Sequence, residues 1–363
     1  MKIALFMHQA SDGGAQKVFL TLSRVFIEIG YDVDLVMVKG GGANFKFIDD
    51  RVNVIYLSGG RTLLSIPSYI HYLKDSSPDF VFSALAHNNI ASILAKIFSR
   101  HKFKLLVTEH SLPSLSYRDA SDISLKISYF LQKYLYRFSD GVIAVSQAVA
   151  RDLSVFAKLS RKEIKVIGNP AYNYEVDVNR LKESEYLLPK EDYIVAVGRL
   201  HLVKRYDFLI REFKKVKSEL PALKLLIVGA GEEKRQLEVL VKSLELNGSV
   251  VFTGFISNPL PIINAAKCFV MSSKYEGFGN VVVEALSCGV PVVSSKNGGV
   301  DDIIDEKCSS YVVEDIDFAP AIINAITEDR ESYKTGRIKR AAFFEEKHIA
   351  LIYARYAEGI VDE

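Results

Sequence analysis

Tyr275-Glu-Gly-Phe-Gly-Asn-Val-Val-Val-Glu-Ala-Leu-Ser-Cys-Gly-Val-Pro291 lies against two short apolar runs, Cys268 to Met271 and Val290 to Ser294. Together they read as strand, glycine-rich turn, helix and strand, which is one parallel α/β unit. Gly277 and Gly279 permit a tight turn and bring main-chain N–H groups close to a ligand. Asn280 is expected as the N-cap of a helix whose apolar positions begin at Val281. Such a helix start carries partial positive charge and suits a phosphate. Glu276 stands before it and Glu284 about one turn inside. Acids on both sides of an anion site fit a ligand with phosphate in the middle and hydroxyls at each end, as in a nucleotide sugar. The competing reading makes both glutamates solvated acids favoured by the helix dipole.

Working outward, the same alternation fills the chain twice. Strands are expected at Ile3 to Met7, Val33 to Val38, Val52 to Leu57, Phe80 to Ser83, Lys104 to Thr108, Gly141 to Val145 and Ile164 to Ile167. A second set falls at Ile194 to Val197, Lys224 to Val228, Val250 to Thr253, Cys268 to Met271, Val290 to Ser294 and Ser310 to Val313. Between the sets, Ala171 to Asp192 is charged, poorly periodic and contains Pro189, so a linker belongs there. The expected fold is α/β, with two Rossmann-like, doubly wound parallel-sheet domains, 1–172 and 173–343, facing across a deep cleft. Apolar residues at Ile349, Ile352, Tyr353, Tyr356, Ala357 and Ile360 give segment 344–363 a helical stripe, expected to pack back on the N-terminal domain.

Composition removes several classes of function. The chain has 363 residues, 49% hydrophobic and 25% charged, which suits two globular domains and not a disordered segment. A formal net charge of +2 and the lack of an Arg/Lys block with interleaved aromatics argue against nucleic acid. No run of eighteen apolar residues occurs, and the apolar start Met1 to Met7 is cut short by His8 and Gln9. Cys268, Cys288 and Cys308 lack metal-site spacing, and a reducing, cytoplasmic setting is expected.

Other candidates fall at the carboxyl ends of expected strands. Gly13-Gly14-Ala15-Gln16 follows the first strand and precedes a helix faced by Val18, Phe19, Leu22, Val25 and Phe26. The turn serves either a ligand's phosphate or sugar, or a tight chain reversal. Arg199 and Lys204 follow Ile194 to Val197; a guanidinium fork and a compact ammonium neutralise a diphosphate without a metal, unless both are ordinary surface cations. His110 ends another strand, where a histidine either meets a sugar hydroxyl or is structural. Asp32-Val33-Asp34 and Asp315-Ile316-Asp317 have metal-type spacing, but the first sits at a strand's amino end and Asp317 reads as a helix N-cap. There is no phosphate-loop, nucleophile-elbow or H-E-x-x-H pattern. Lys126, Lys133 and Arg137 fall on one side of a helix from Leu125 to Phe138, with Arg100, Lys102 and Lys104 nearby. That is either a core helix with a solvated basic side, which we favour, or a surface resting peripherally on the inner face of the cytoplasmic membrane.

The ensemble resembles the family 4, or group 1, retaining glycosyltransferases of GT-B fold. The resemblance rests on Gly13-Gly14-Ala15-Gln16, His110, Val197-Gly198-Arg199-Leu200 with Lys204, Val251-Phe252-Thr253-Gly254-Phe255, Glu276 to Glu284, and Ala285-Leu286-Ser287-Cys288-Gly289-Val290-Pro291-Val292-Val293. It spans essentially the whole chain in the family's order. It implies an N-terminal acceptor domain and a C-terminal donor domain. Glu284 would hold the nucleotide ribose and Glu276 would lie by the donor hexose. Arg199 and Lys204 would hold the diphosphate, helped by the backbone of Gly277, Phe278, Gly279, Asn280 and Val281. Gly13 and Gly14 would approach the donor, His110 the hexose, and Gly254 and Phe255 the uracil. The resemblance further implies a UDP-sugar donor, with GDP-sugar as the variant, no cofactor, no metal, and a glycan or polyprenol-linked acceptor in bacterial surface polysaccharide synthesis. Residues before the first glutamate and after the second glycine vary with donor sugar among members. A nucleotide-sugar epimerase on the same fold and a non-catalytic nucleotide-sugar-binding subunit are the alternatives.

Overall fold

The structure, a computed structural model, describes all residues except 12, 121, 174–176, 178, 180, 182–185, 306–307, 309, 328–330 and 360–363, and the side chains of 331 and 332. The chain divides into two units, Met1–Pro170 with Glu346–Glu363, and Ala171–Glu345. Much of the expected linker, and Ile360 of the C-terminal stripe, lie outside the described residues.

In the first unit the strands are β1 (Lys2–Met7), β2 (Asp32–Met37), β3 (Asn53–Tyr56), β4 (Phe80–Ala84), β5 (Lys104–Glu109), β6 (Gly141–Ala144) and β7 (Ile164–Val166). They form one parallel sheet in the order β3-β2-β1-β4-β5-β6-β7. Central strands such as Ile3–Met7 are continuous apolar runs because both faces of the sheet are covered. Helix Gly14–Glu28 covers part of one face, and Phe26 stacks on Phe82 at 5.8 Å. Helix Glu346–Glu358 joins that core: Tyr353 is fully buried against Phe82, and Ile349, Ala350, Ala354 and Ala357 are buried beside it. Arg24 binds Glu346, and Tyr31 donates to Glu358 at 2.6 Å, so both ends of this helix are tied to the unit.

Asp34 is buried and fully engaged. It accepts from Tyr72 and Ser76 at 2.7 Å each and from Asn53 at 2.7 Å, and pairs with Lys2 at 3.0 Å. These partners explain a carboxylate inside the sheet edge without an ion.

The second unit contains β8 (Tyr193–Val197), β9 (Lys224–Val228), β10 (Val250–Gly254), β11 (Cys268–Met271), β12 (Val292–Ser295) and β13 (Tyr311–Val313), all parallel, in the order β10-β9-β8-β11-β12-β13. Helices Tyr206–Glu219 and Phe318–Thr327 pack together through Phe208 and Phe318, whose ring centroids are 5.3 Å apart. Arg337 is buried and donates to the carbonyls of Cys308 and Gly289 at 3.0 and 2.9 Å, tying its helix to the ends of two strands. In each unit the winding reverses beside the first strand, at β1/β4 and at β8/β11. Doubly wound sheets bind ligands at the carboxyl ends of the strands at such a reversal.

Helix Ile123–Leu135, with the turn Tyr136–Phe138, packs its inner side into the first unit and leaves Lys126 and Arg137 exposed. Its inward residues are Ser128, Tyr129, Gln132 and Tyr136, while several large apolar side chains face outward. The reason is Glu109, a carboxylate buried at the end of β5 that needs donors. Gln132 supplies one at 2.7 Å, Tyr136 another, and Asn89 a third at 3.1 Å.

Candidate active site

In the second unit, the loops after β8 and β11 meet at the winding reversal. After β8, the turn Leu202–Lys204 is held by His201 Nδ1, which accepts the Val203 N–H at 3.2 Å. After β11, the Lys274 N–H donates to the Val203 carbonyl at 2.8 Å and the Ser272 hydroxyl to the Lys204 carbonyl at 2.7 Å. Lys204 is thereby aimed across the reversal, and its ammonium donates to Glu276 Oε1 at 2.5 Å. The two side chains are 24% and 17% exposed, so the pair is largely sheltered yet reachable. The Glu276 N–H donates to the Asn297 carbonyl at 3.2 Å. Gly299 permits this packing, since a Cβ there would lie 2.7 Å from the Glu276 carbonyl oxygen.

The helix that follows is Asn280–Ser287, and its N-cap is Gly279, not Asn280 as expected. Gly279 has φ 109°, a left-handed conformation that swings the loop into the helix and that glycine adopts without strain. Asn280 is thus the first helical residue. Glu284 is buried on this helix at 7% exposure. Phe278 is buried edge-on against Phe344, with centroids 5.3 Å apart, so its ring is core and only its backbone is available to a ligand.

Arg199 does not join the Lys204–Glu276 pair. Its side chain is 70% exposed and binds Glu232 at 3.2 Å, while His201 Nε2 lies 3.6 Å from the same carboxylate. Glu232 escaped the sequence reading, although the Gly229-Ala230-Gly231 turn before it was a usable signal at a strand end. A Cβ at Gly231 would lie 2.3 Å from the Leu200 carbonyl oxygen, so this turn packs directly on the Arg199 loop. At the end of β10, the Gly254 carbonyl accepts the Gly229 N–H at 2.8 Å. Phe255 beside it is 71% exposed, an aromatic face open to a flat ring.

The first unit carries its own group of residues at strand ends. Gly13 is the N-cap of its helix and Gly14 is exposed at the first helical position. A Cβ at Gly13 would lie 2.2 Å from Gln16 Oε1. His110 follows β5 and lies 3.0 Å from Thr108 Oγ1 through Nε2. Thr108 gives its own proton to the Ser83 carbonyl, so Nε2 of His110 is the donor and Nδ1 is left as a bare acceptor. That Nδ1 is shut from solvent and has no partner among the described residues. Burial pushes the imidazole down to about 4, so His110 is neutral near pH 7. Burial raises neighbouring Glu109 to about 7.

His8 and His87 also escaped the sequence reading. They follow β1 and β4, the two strands at the winding reversal, with ring centroids 6.2 Å apart. Burial, with a smaller contribution from His8, holds His87 down at about 4. Leu85, just before the His87 helix, has φ 75°, a conformation costly for leucine. His8 directly follows its strand, the same signal that marked His110, and His87 lies at the start of the helix after β4. Neutral imidazoles donate to and accept from hydroxyl groups, which suits sugars.

Residues 12–171 match the family model described as Glycosyltransferase Family 4, and residues 177–342 match that for Glycosyl transferases group 1. The chain belongs to the family 4, group 1 glycosyltransferases. This glycosyltransferase is 26% identical, over 99% of its length and 100% of the relative, to N-acetylgalactosamine-N,N'-diacetylbacillosaminyl-diphospho-undecaprenol 4-alpha-N-acetylgalactosaminyltransferase of Campylobacter jejuni. It is 27% identical to the amylovoran biosynthesis glycosyltransferase AmsD of Erwinia amylovora, over 84% of this chain and 83% of the relative. Anabaena HepE, solved with UDP-glucose, superposes with a TM-score of 0.78 at 19% identity, covering 99% of this glycosyltransferase and 98% of HepE. Sucrose-phosphate synthase of Thermosynechococcus elongatus gives 0.77 at 23% identity, covering 99% and 98%. The fold is GT-B.

Proposed function

We propose that this glycosyltransferase moves a hexose or N-acetylhexosamine from a nucleotide sugar, a UDP-sugar in the first instance, to a glycan or polyprenol-linked glycan acceptor. The observation that carries the reading is the Lys204–Glu276 pair at the glycine-bent start of a helix, with Glu284 buried one turn further on. The diphosphate takes the Lys204 ammonium and recruits Arg199 from Glu232, while the helix N-terminus adds backbone N–H groups. Glu276, released from Lys204, accepts from hydroxyls of the donor sugar. Glu284 accepts from the ribose, and the base lies on Phe255 beside Gly254. Gly13 and Gly14 admit the donor closely, and His110 lies by the hexose.

Transfer proceeds with retention, the acceptor attacking on the face from which the nucleoside diphosphate departs. No protein nucleophile is then needed; the residues stabilise leaving-group charge and exclude water. Two cations serve the diphosphate in place of a metal ion. The carrier-linked acceptor of the Campylobacter relative and the polysaccharide named for the Erwinia one support a role in bacterial surface glycan assembly.

Thermal-shift screening of UDP- and GDP-sugars tests the donor assignment, with one nucleotide series expected to raise Tm. Proton NMR of the product tests retention, and an inverted anomer would exclude same-face attack. UDP release that depends on acceptor separates transfer from epimerisation.

A further inference from the structure

The helix Ile123–Leu135 turns Ser128, Tyr129 and Gln132 inward and half-buries Leu125, Leu131 and Leu135, yet Ile123, Ile127, Phe130, Tyr134 and Phe138 are each about half or more exposed. Their spacing of four, three, four and four residues places them in one line along the helix and the turn after it. Phe130 and Tyr134 touch, with centroids 5.4 Å apart. An apolar line of this length on water is costly unless something covers it.

The charge pattern selects what covers it. From Ile123 to Phe138 there is no acidic residue, while Lys126, Lys133 and Arg137 flank the line. Lys133 lies over the rings of Phe130, Tyr117 and Phe156, at 4.8 Å from the last, and extends the apolar line sideways. The bordering acids are engaged within the protein: Asp122 caps the helix through the Leu125 N–H at 3.0 Å, and Asp140 binds Lys96 and the Leu105 N–H. Lys96 brings the end of its own helix to the same place, where Ile97 and Phe98 are exposed ahead of Arg100 and Lys102. A second copy of the chain on this face would set cation against cation. Among the described residues no helix is long and apolar enough to cross a membrane.

We propose that the face formed by Ile123–Phe138 docks this protein on an anionic lipid surface. The apolar line enters the region between headgroups and acyl chains, and Lys126 and Arg137 meet lipid phosphates. The inference stands on this face alone and does not depend on which donor the site takes.

The test is co-sedimentation of the full chain with phosphatidylcholine vesicles containing about one-third phosphatidylglycerol. Wild-type protein is expected to pellet with these vesicles, less at high salt, and weakly with pure phosphatidylcholine. Ile127→Asp with Phe130→Asp should weaken binding about tenfold or more, and Lys126→Glu with Arg137→Glu about fivefold or more. Both pairs are exposed, so Tm and nucleotide binding should stay at wild-type values. Wild-type protein left in the supernatant, or an apolar double variant that pellets like wild type, overturns the proposal. A wild-type dimer in sedimentation equilibrium that the apolar double variant abolishes assigns the face to a second copy and overturns it equally.

Discussion

Replacing Lys204 by alanine separates two consequences of one ion pair. In the free protein Lys204 and Glu276 are 2.5 Å apart and 24% and 17% exposed. Such a pair falls between exposed ion pairs, worth about 0.2–1 kcal/mol, and buried ones, whose single removal costs about 3–5 kcal/mol. A stability loss of about 1–2 kcal/mol is therefore expected for Lys204→Ala, and a similar loss for Glu276→Ala. The double variant should lose less than the sum, because neither charge is left without its partner. Catalysis should respond more strongly. A cation that meets charge developing on the leaving diphosphate is worth about 2.7–4 kcal/mol, or about a hundredfold to a thousandfold in turnover. The assay is acceptor-dependent UDP release at saturating donor, at a temperature well below every variant's Tm. Lys204→Ala within about threefold of wild-type turnover would refute the charge role assigned to this lysine. Additive stability losses would refute the pairing.

Phe255→Ala should weaken nucleotide binding by about 1–3 kcal/mol, a typical worth for a base stacked on an aromatic ring, with turnover at saturation little changed; calorimetric Kd values check this. Turnover should persist in excess EDTA, since Arg199 and Lys204 supply the countercharge, and loss restored by magnesium would contradict it. Glu109 predicts a pH effect. Burial raises its carboxyl from near 4.5 to about 7, so across that window the folded state keeps a proton that the unfolded chain has released. This contribution to stability is present at low pH and is lost as pH rises through about 4.5 to 7, by up to a few kcal/mol. Glu109→Gln should flatten that part of the profile of Tm against pH, and an unchanged slope would remove Glu109 as its source.

The architecture was legible because parallel strands covered on both faces must be short unbroken apolar runs, and Ile3–Met7 or Cys268–Met271 can be little else. Boundaries shifted by a residue or two where an apolar run extends beyond the ladder, ahead of it at Val290 and past it at Val38. Less legible were features that depend on what lies opposite in space. The outward apolar line of helix Ile123–Leu135 went unread because the helix's orientation is set by Glu109, a buried acid from another element, and not by its own pattern. Asn280 has good capping chemistry, yet the loop needed φ 109° one residue earlier and Gly279 took the cap. Arg199 and Lys204 looked alike in sequence; the fold gives one to Glu232 and the other to Glu276. No spacing in the chain announces such partners, because they come from different loops. His8 and His87 show the converse, since their position after strands was readable and went unused.

The most direct test of nucleotide recognition by the Glu276–Glu284 segment is calorimetric titration of UDP and GDP into wild-type protein and Glu284→Gln. One nucleotide should bind wild-type protein. The loss of one charge-assisted hydrogen bond, worth about 1.5–3 kcal/mol, should weaken it about tenfold to a hundredfold in Glu284→Gln. Equal affinity in the two proteins, or no binding of either nucleotide to wild type, would contradict the assignment of this segment as the donor site.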